Sequence, residues 1–137
     1  MVEKITIQAI INAPVDKVWD FYTEPKHIIQ WNSPSPDWHT PSAKNDLKVG
    51  GKFFFRMEAK DGSAGFDFEG IYDQVKKYEI ISYTIADGRK VKVTFTQNAE
   101  KTKVIVMFEP EKINSIEMQR SGWQAILDNI KAYIENN

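Results

Sequence analysis

The order of patterns along the chain predicts an α+β fold: a curved antiparallel sheet of six to seven strands wrapped around one long C-terminal helix, with two short helices after the first strand. Three observations carry this expectation. Strand-like alternation opens the chain at Ile5 to Ile11. Two Asp-Gly pairs, Asp61-Gly62 and Asp87-Gly88, each lie between alternating apolar segments, a strong short-range hairpin signal. The last segment, Asn114 to Glu135, has the apolar period of a single amphipathic helix. A twisted sheet around one helix leaves a space between the two layers, and small domains of this order commonly hold an apolar molecule there.

Ile5, Ile7, Ala9 and Ile11 alternate with Lys4, Thr6, Gln8 and Ile10, the period of a strand with one buried face, and Asn12 stops it. Pro14 suits a first helical turn, Asn12 or Ala13 can cap it, and Val15, Val18, Trp19 and Tyr22 recur at helical spacing. Thr23 and Pro25 restart a second short helix carrying His27, Ile28, Ile29 and Trp31. From Asn32 to Asn45 the residues Pro34, Pro36 and Pro41, with serine and asparagine, read as one ordered loop in which Trp38 and His39 are embedded. Gly50-Gly51 then opens the main sheet.

A two-residue turn at Asp61-Gly62 sets Lys60 opposite Ser63 and so pairs Met57 with Phe66, Arg56 with Asp67 and Phe55 with Phe68. Phe53, Phe55, Met57, Phe66 and Phe68 then share one face, and Arg56, Glu58, Asp67 and Glu69 the other. The same turn at Asp87-Gly88 groups Ile80, Ser82, Thr84, Val91, Val93 and Phe95 against Ile81, Tyr83, Ile85, Lys90, Lys92 and Thr94. A last strand, Thr102 to Phe108, follows a polar turn at 98–101. In the final helix Asn114 with Glu117 reads as a variant capping box, and Ile116, Trp123, Ile126, Leu127, Ile130 and Ile134 form one stripe, which also carries Gln119.

Composition narrows the function. At 137 residues the chain has the length of one domain, expected to span residues 1–137. A net charge of -1 offers no basic footprint for nucleic acid or an anionic membrane. The absence of cysteine excludes disulfides, thiolate metal sites and cysteine nucleophiles, and suits a reducing cytoplasm. The first residues alternate where a signal peptide would carry an apolar block, and no apolar run approaches the ~18 residues of a membrane span. A cytoplasmic protein with no membrane insertion and no cofactor is expected.

The apolar face of the first hairpin can line a ligand cavity or simply pack the long helix, and at different heights it can do both. Arg56 could hold a ligand carboxylate while Asp67 fixes its orientation, but a register that sets them opposite the phenylalanines favours a surface ion pair. Gln119 could orient a ligand inside the cavity or reach a loop carbonyl. Trp31 and Trp38 could gate a cavity mouth or anchor the Pro-rich loop. His27 and His39 are too sparse for a metal site, and no nucleophile elbow, phosphate loop or hydrolytic triad is present. The expected ligand-binding residues are Trp31, Trp38, Phe53, Phe55, Met57, Phe66, Phe68, Gln119, Trp123, Ile126 and Ile130; no residue is selected as catalytic.

The stretch Ala13-Pro14-Val15-Asp16-Lys17-Val18-Trp19 resembles the start of the START-like (SRPBCC, Bet v 1-like helix-grip) superfamily. Asp46-Leu47-Lys48-Val49-Gly50-Gly51-Lys52-Phe53, Asp61-Gly62, Phe68-Glu69-Gly70 and Gly122-Trp123-Gln124-Ala125-Ile126-Leu127 are similar to its branch named after the activator of Hsp90 ATPase homologues. The resemblance covers nearly the whole chain and implies a sheet gripping the C-terminal helix, a cavity between them and two helices closing one end. Its members include lipid and hormone carriers, polyketide cyclases and aromatases. The co-chaperones of the branch carry a further N-terminal domain that these residues do not include. Three functions are therefore expected as alternatives. The first is a binding protein for a small apolar molecule. The second is an enzyme acting on a hydrophobic substrate, which needs an inward carboxylate or histidine. The third is a module with a protein partner in chaperone regulation.

Overall fold

Alternation places β1 (Ile5–Ile11) with Ile5, Ile7, Ala9 and Ile11 buried and the residues between them exposed. The computed structural model describes residues 4–33 and 35–137; Glu3 of the N-terminal reading and Pro34 of the Pro-rich loop lie outside the described residues. After β1 come α1 (Val15–Thr23), α2 (Pro25–Trp31), the strands β2 (Trp38–Asn45), β3 (Lys52–Ala59), β4 (Gly65–Lys76), β5 (Ile80–Ile85), β6 (Lys90–Asn98) and β7 (Lys101–Phe108), and α3 (Ile116–Glu135). The strands form one antiparallel sheet in the order β1-β7-β6-β5-β4-β3-β2, curled into a half-barrel. Strands β2 to β7 are a plain meander, while β1 joins at β7. The chain must therefore cross from one edge of the sheet to the other between β1 and β2, and α1 and α2 make that crossing.

The long helix is tied along β1. Gln124 Nε2 donates to Gln8 O at 3.2 Å, Lys131 Nζ to Ile10 O at 2.7 Å, and Asn12 N to Glu135 Oε2 at 2.8 Å. Gln8 O, Ile10 O and Asn12 N, the last just past the end of β1, alternate along the chain on the side away from β7, so polar side chains of α3 occupy the free edge of the sheet. Leu127, Ile130 and Ile134 are buried beneath them. Phe108 at the end of β7 is fully buried and stacks on Trp123 at 4.0 Å.

The first hairpin has the expected register, with Phe55 opposite Phe68 and Arg56 opposite Asp67. The second differs by one residue. Ile85 N bonds Arg89 O at 2.8 Å around a three-residue loop whose Gly88 has φ 93°, so Thr84 pairs with Lys90 and Tyr83 with Val91. Ile81, Tyr83 and Ile85 consequently share the inner face with Val91, Val93 and Phe95, and Ile80, Ser82 and Thr84 lie with Lys90, Lys92 and Thr94. A glycine in the left-handed region is what such an odd-length loop requires.

Three further expectations are corrected. Residues 38–45, expected as loop, form the edge strand β2, whose pairing with β3 shifts register between His39 and Ser42, around Pro41. A proline is tolerated there because an edge strand has one side without ladder bonds. Helix α3 is capped by Ser115, whose hydroxyl accepts from Met118 N at 3.1 Å, rather than by Asn114, and Ile116 in its first turn is exposed. Helix α1 starts at Pro14 without a side-chain cap of its own; Gln97 Oε1 of β6 accepts from Val15 N at 2.8 Å instead.

Candidate functional site

Between the sheet and α3 lies a cavity of about 350 Å³, within the size range of small-molecule sites. Its floor is the inner face of the first hairpin, Phe53, Phe55, Met57, Phe66 and Phe68, continued by Tyr72, Ile81 and Tyr83. Its roof is Gly122, Trp123, Ile126, Leu127 and Ile130 of α3. Tyr22, Thr23, Ile28, Trp31 and Asn32 enter from the α1–α2 crossing, and Asn45 from the end of β2. The floor works as a mosaic of aromatic rings: Phe53 lies 5.1 Å from Phe55, 5.6 Å from Phe68, 5.4 Å from Tyr72 and 4.9 Å from Tyr83. Gly70 makes this possible, because a Cβ there would meet the Phe53 ring at 2.7 Å and Thr84 O at 2.6 Å. Only glycine lets the ring rest against β4.

Nine of the eleven expected residues line this space and two do not. Trp38 sits outside it, backing the half-exposed Phe66 at 5.8 Å. Gln119 is buried but turned away: its Nε2 donates to Glu111 O at 3.0 Å and Asn114 O at 2.9 Å, and its Oε1 accepts from Glu111 N at 2.8 Å. It fastens the approach to α3, the loop-carbonyl role that its place near the helix start allowed. Trp31 is in the wall and fixed, its Nε1 donating to Phe21 O at 2.9 Å.

Sequence reasoning missed the polar part of the wall. Tyr72 follows Phe68 by the same alternation and could have been found; Tyr83 was hidden by the hairpin register. The Tyr72 hydroxyl donates to Asn45 Oδ1, while Asn45 Nδ2 donates to Thr23 O at 2.7 Å, locking β2 to the end of α1. Burial pushes the phenols of Tyr22, Tyr72 and Tyr83 well above their ordinary range, and at Tyr72 the bond to Asn45 pulls slightly the other way. All three are neutral hydrogen-bonding groups.

The charged candidates lie elsewhere. Arg56 bonds Glu58 at 2.9 Å and Asp67 at 3.3 Å on the outer face, where all three are substantially exposed. Glu69 shares that outer face. His39 is exposed, and His27 stacks on Phe21 at 4.0 Å with its Nδ1 2.8 Å from the Tyr133 hydroxyl, bridging α2 to α3. None of these residues belongs to the wall, and no carboxylate or imidazole lines the cavity among the described residues. Its one ionic residue, Arg89, is engaged by Asp87 at 2.8 Å and by Glu109 O at 3.4 Å. Among the described residues no cluster suited to a metal ion occurs, and no helix is long and apolar enough to cross a membrane.

Fold and cavity together define a helix-grip domain with an apolar interior. A family model described as Activator of Hsp90 ATPase homolog 1-like protein matches residues 12–135, and the chain belongs to that family. The chain is similar to the AHSA1-like protein of Aeromonas hydrophila, whose solution structure superposes with a TM-score of 0.92 at 42% identity, covering 98% of this chain and 93% of that one. A protein from Cytophaga hutchinsonii is 52% identical with a TM-score of 0.85, over 98% of this chain and 93% of that one. A protein from Chromobacterium violaceum shares the fold, with a TM-score of 0.88 at 20% identity over 98% and 99% of the two chains. No curated protein matches the chain.

Proposed function

We propose that this protein is a cytoplasmic binding protein for a small, mainly apolar molecule, held between the inner face of the sheet and the C-terminal helix. The observation that carries the reading is the cavity of about 350 Å³ walled by Phe53, Phe55, Phe68, Trp123 and Ile126. An apolar space of this size forgoes packing contacts that would stabilise the fold, and a bound apolar molecule would restore them. In the proposed role Trp31, Met57, Phe66 and Ile130 complete the ligand's surroundings. The test is Phe55→Arg, which sets a charged side chain into the floor. Ligand retained by the native protein in mass spectrometry should disappear in this variant, and undiminished retention would place the site elsewhere.

A second reading, a module that docks on a chaperone, is favoured by the family's name and by three apolar residues close together at the start of α3: Ile113, Ile116 and Met118 are 92%, 39% and 62% exposed. Purified Hsp90 that neither captures the protein nor gains ATPase activity from it removes this reading.

A further inference from the structure

Three tyrosines belong to the cavity wall, and the hydroxyls of two of them have no partner in the protein. The Tyr72 hydroxyl is spent on Asn45 Oδ1, whereas those of Tyr22 and Tyr83 bond nothing among the described residues. Neither is sealed in. Both residues are half-buried, and among the described residues that are not exposed, Asn32 Nδ2 is the one unpartnered side-chain nitrogen or oxygen covered by the surrounding protein. The two phenol oxygens therefore keep surface that a small molecule can touch.

That surface lies inside. The Tyr22 ring enters from the end of α1 against the buried Trp31 and Phe95, at 5.5 Å and 5.4 Å. The Tyr83 ring stands on the inner face of β5, 4.9 Å from the buried Phe53 and 6.2 Å from Tyr72. Burial is the main cause that raises the phenol pKa values, and the charge an ionised Tyr22 would carry adds to it at both Tyr72 and Tyr83, so the hydroxyls share one neighbourhood. Phenylalanine would fill either place without presenting an unanswered donor to an apolar space, an arrangement that folded proteins seldom leave. A carbonyl oxygen has two lone pairs and so can answer two donors at once.

We propose that Tyr22 and Tyr83 form the polar subsite of the cavity and donate together to one carbonyl oxygen of a mainly apolar ligand, a ketone, aldehyde or ester. Arg89 stands apart from this subsite. It precedes the inner row Val91, Val93 and Phe95 of β6 by the same alternation, and Tyr22 packs at the Phe95 end, roughly 20 Å of strand away. The subsite therefore acts whatever charge the ligand bears near Arg89. This inference rests on the reading of the cavity as a binding site and adds to it the chemistry of the ligand.

The experiment titrates the full chain with 2-acetylnaphthalene and with 2-isopropenylnaphthalene, which has the same shape without the oxygen, followed by NMR. Tyr22→Phe and Tyr83→Phe should each weaken the ketone about tenfold relative to the hydrocarbon, because its carbonyl then loses a donor it had left water to meet. The labelled carbonyl carbon of the bound ketone should resonate downfield of its position in an apolar solvent, and the double variant should bring it back. The wild-type signal needs no variant to fold. Since neither hydroxyl bonds the protein, both variants should keep the wild-type urea midpoint; a lower midpoint would assign the hydroxyls to the fold and overturn the inference. An unchanged ratio of ketone to hydrocarbon in both variants, or a carbonyl carbon at its apolar-solvent position in the wild type, would overturn it and leave the cavity reading standing. No shift at any wall residue with either probe would overturn the cavity reading, and this inference with it.

Discussion

The two halves of the sheet meet the same helix differently. Strands β1, β7 and β6 bring mainly aliphatic side chains under α3, and Ile11, Val93 and Val104, with the ring of Phe108, are completely buried. Strands β3 and β4 bring aromatic rings to a space that α3 does not fill, and Phe66 is left 47% exposed at its end. The difference follows from where the helix is fastened. Bonds to Gln8, Ile10 and Asn12 hold α3 along β1, so the far side of a curled sheet stands away from it. The cavity thus opens mainly over β3 and β4, with Ile7 and Val106 at its border toward the attached edge.

Substitutions can sharpen this contrast. The largest effect is expected in the solid half: Phe108→Ala should cost about 3 to 5 kcal/mol in urea denaturation, the range for a fully packed ring. Phe55→Ala in the hollow half should cost about half as much, since its ring already faces empty space on one side. Equal losses would mean that the two halves are equally packed. Gln119→Leu leaves Glu111 N, Glu111 O and Asn114 O without their side-chain partner and should cost about 1 to 3 kcal/mol, without changing the uptake of an apolar probe. A loss of uptake there would return Gln119 to the wall.

A smaller effect depends on pH. Burial lowers the pKa of His27 from its ordinary 6.5, against the raising influence of nearby Glu24 and Asp20 and with the lowering influence of Lys26. The unfolded chain therefore binds more protons than the folded one between the lowered folded value and 6.5, and stability falls as pH drops through that window. Melting temperatures taken from pH 7.5 down to 5 should decline, and His27→Gln should flatten the decline. An unchanged slope in that variant would assign the acid sensitivity to other groups. The smallest effect is expected on the outer face, where Arg56→Gln should leave both the denaturation midpoint and probe uptake unchanged.

Much of this architecture was legible because each local signal agreed with the global one. Alternation in β1, the apolar stripe of α3 beyond Ile116 and the register of the first hairpin are all present in the structure, although that hairpin closes through a four-residue loop rather than the expected two-residue turn. The second turn shows the limit of such reading. Its dipeptide is the same, but Ala59 and Ala64 close around four residues, 60–63, whereas Ile85 and Arg89 close around three, 86–88, and an odd loop reverses which side chains face inward. The apolar wall was therefore found and Tyr83 was not. Asn32 and Asn45 carry no periodicity at all. They reach the cavity because α2 and β2 end there, which only the folded chain can reveal.

Pro41 hid β2 from a reading by composition, and it also shapes what that strand can do to its neighbours. A sheet open on both sides offers two templates for unwanted addition of another chain. One, along β1, is occupied by side chains of α3; the other is interrupted in mid-strand by a residue without an N–H and by a local shift of register. An incoming strand would lose a bond and meet a bend at the same point, so this border resists the stacking that leads to aggregates.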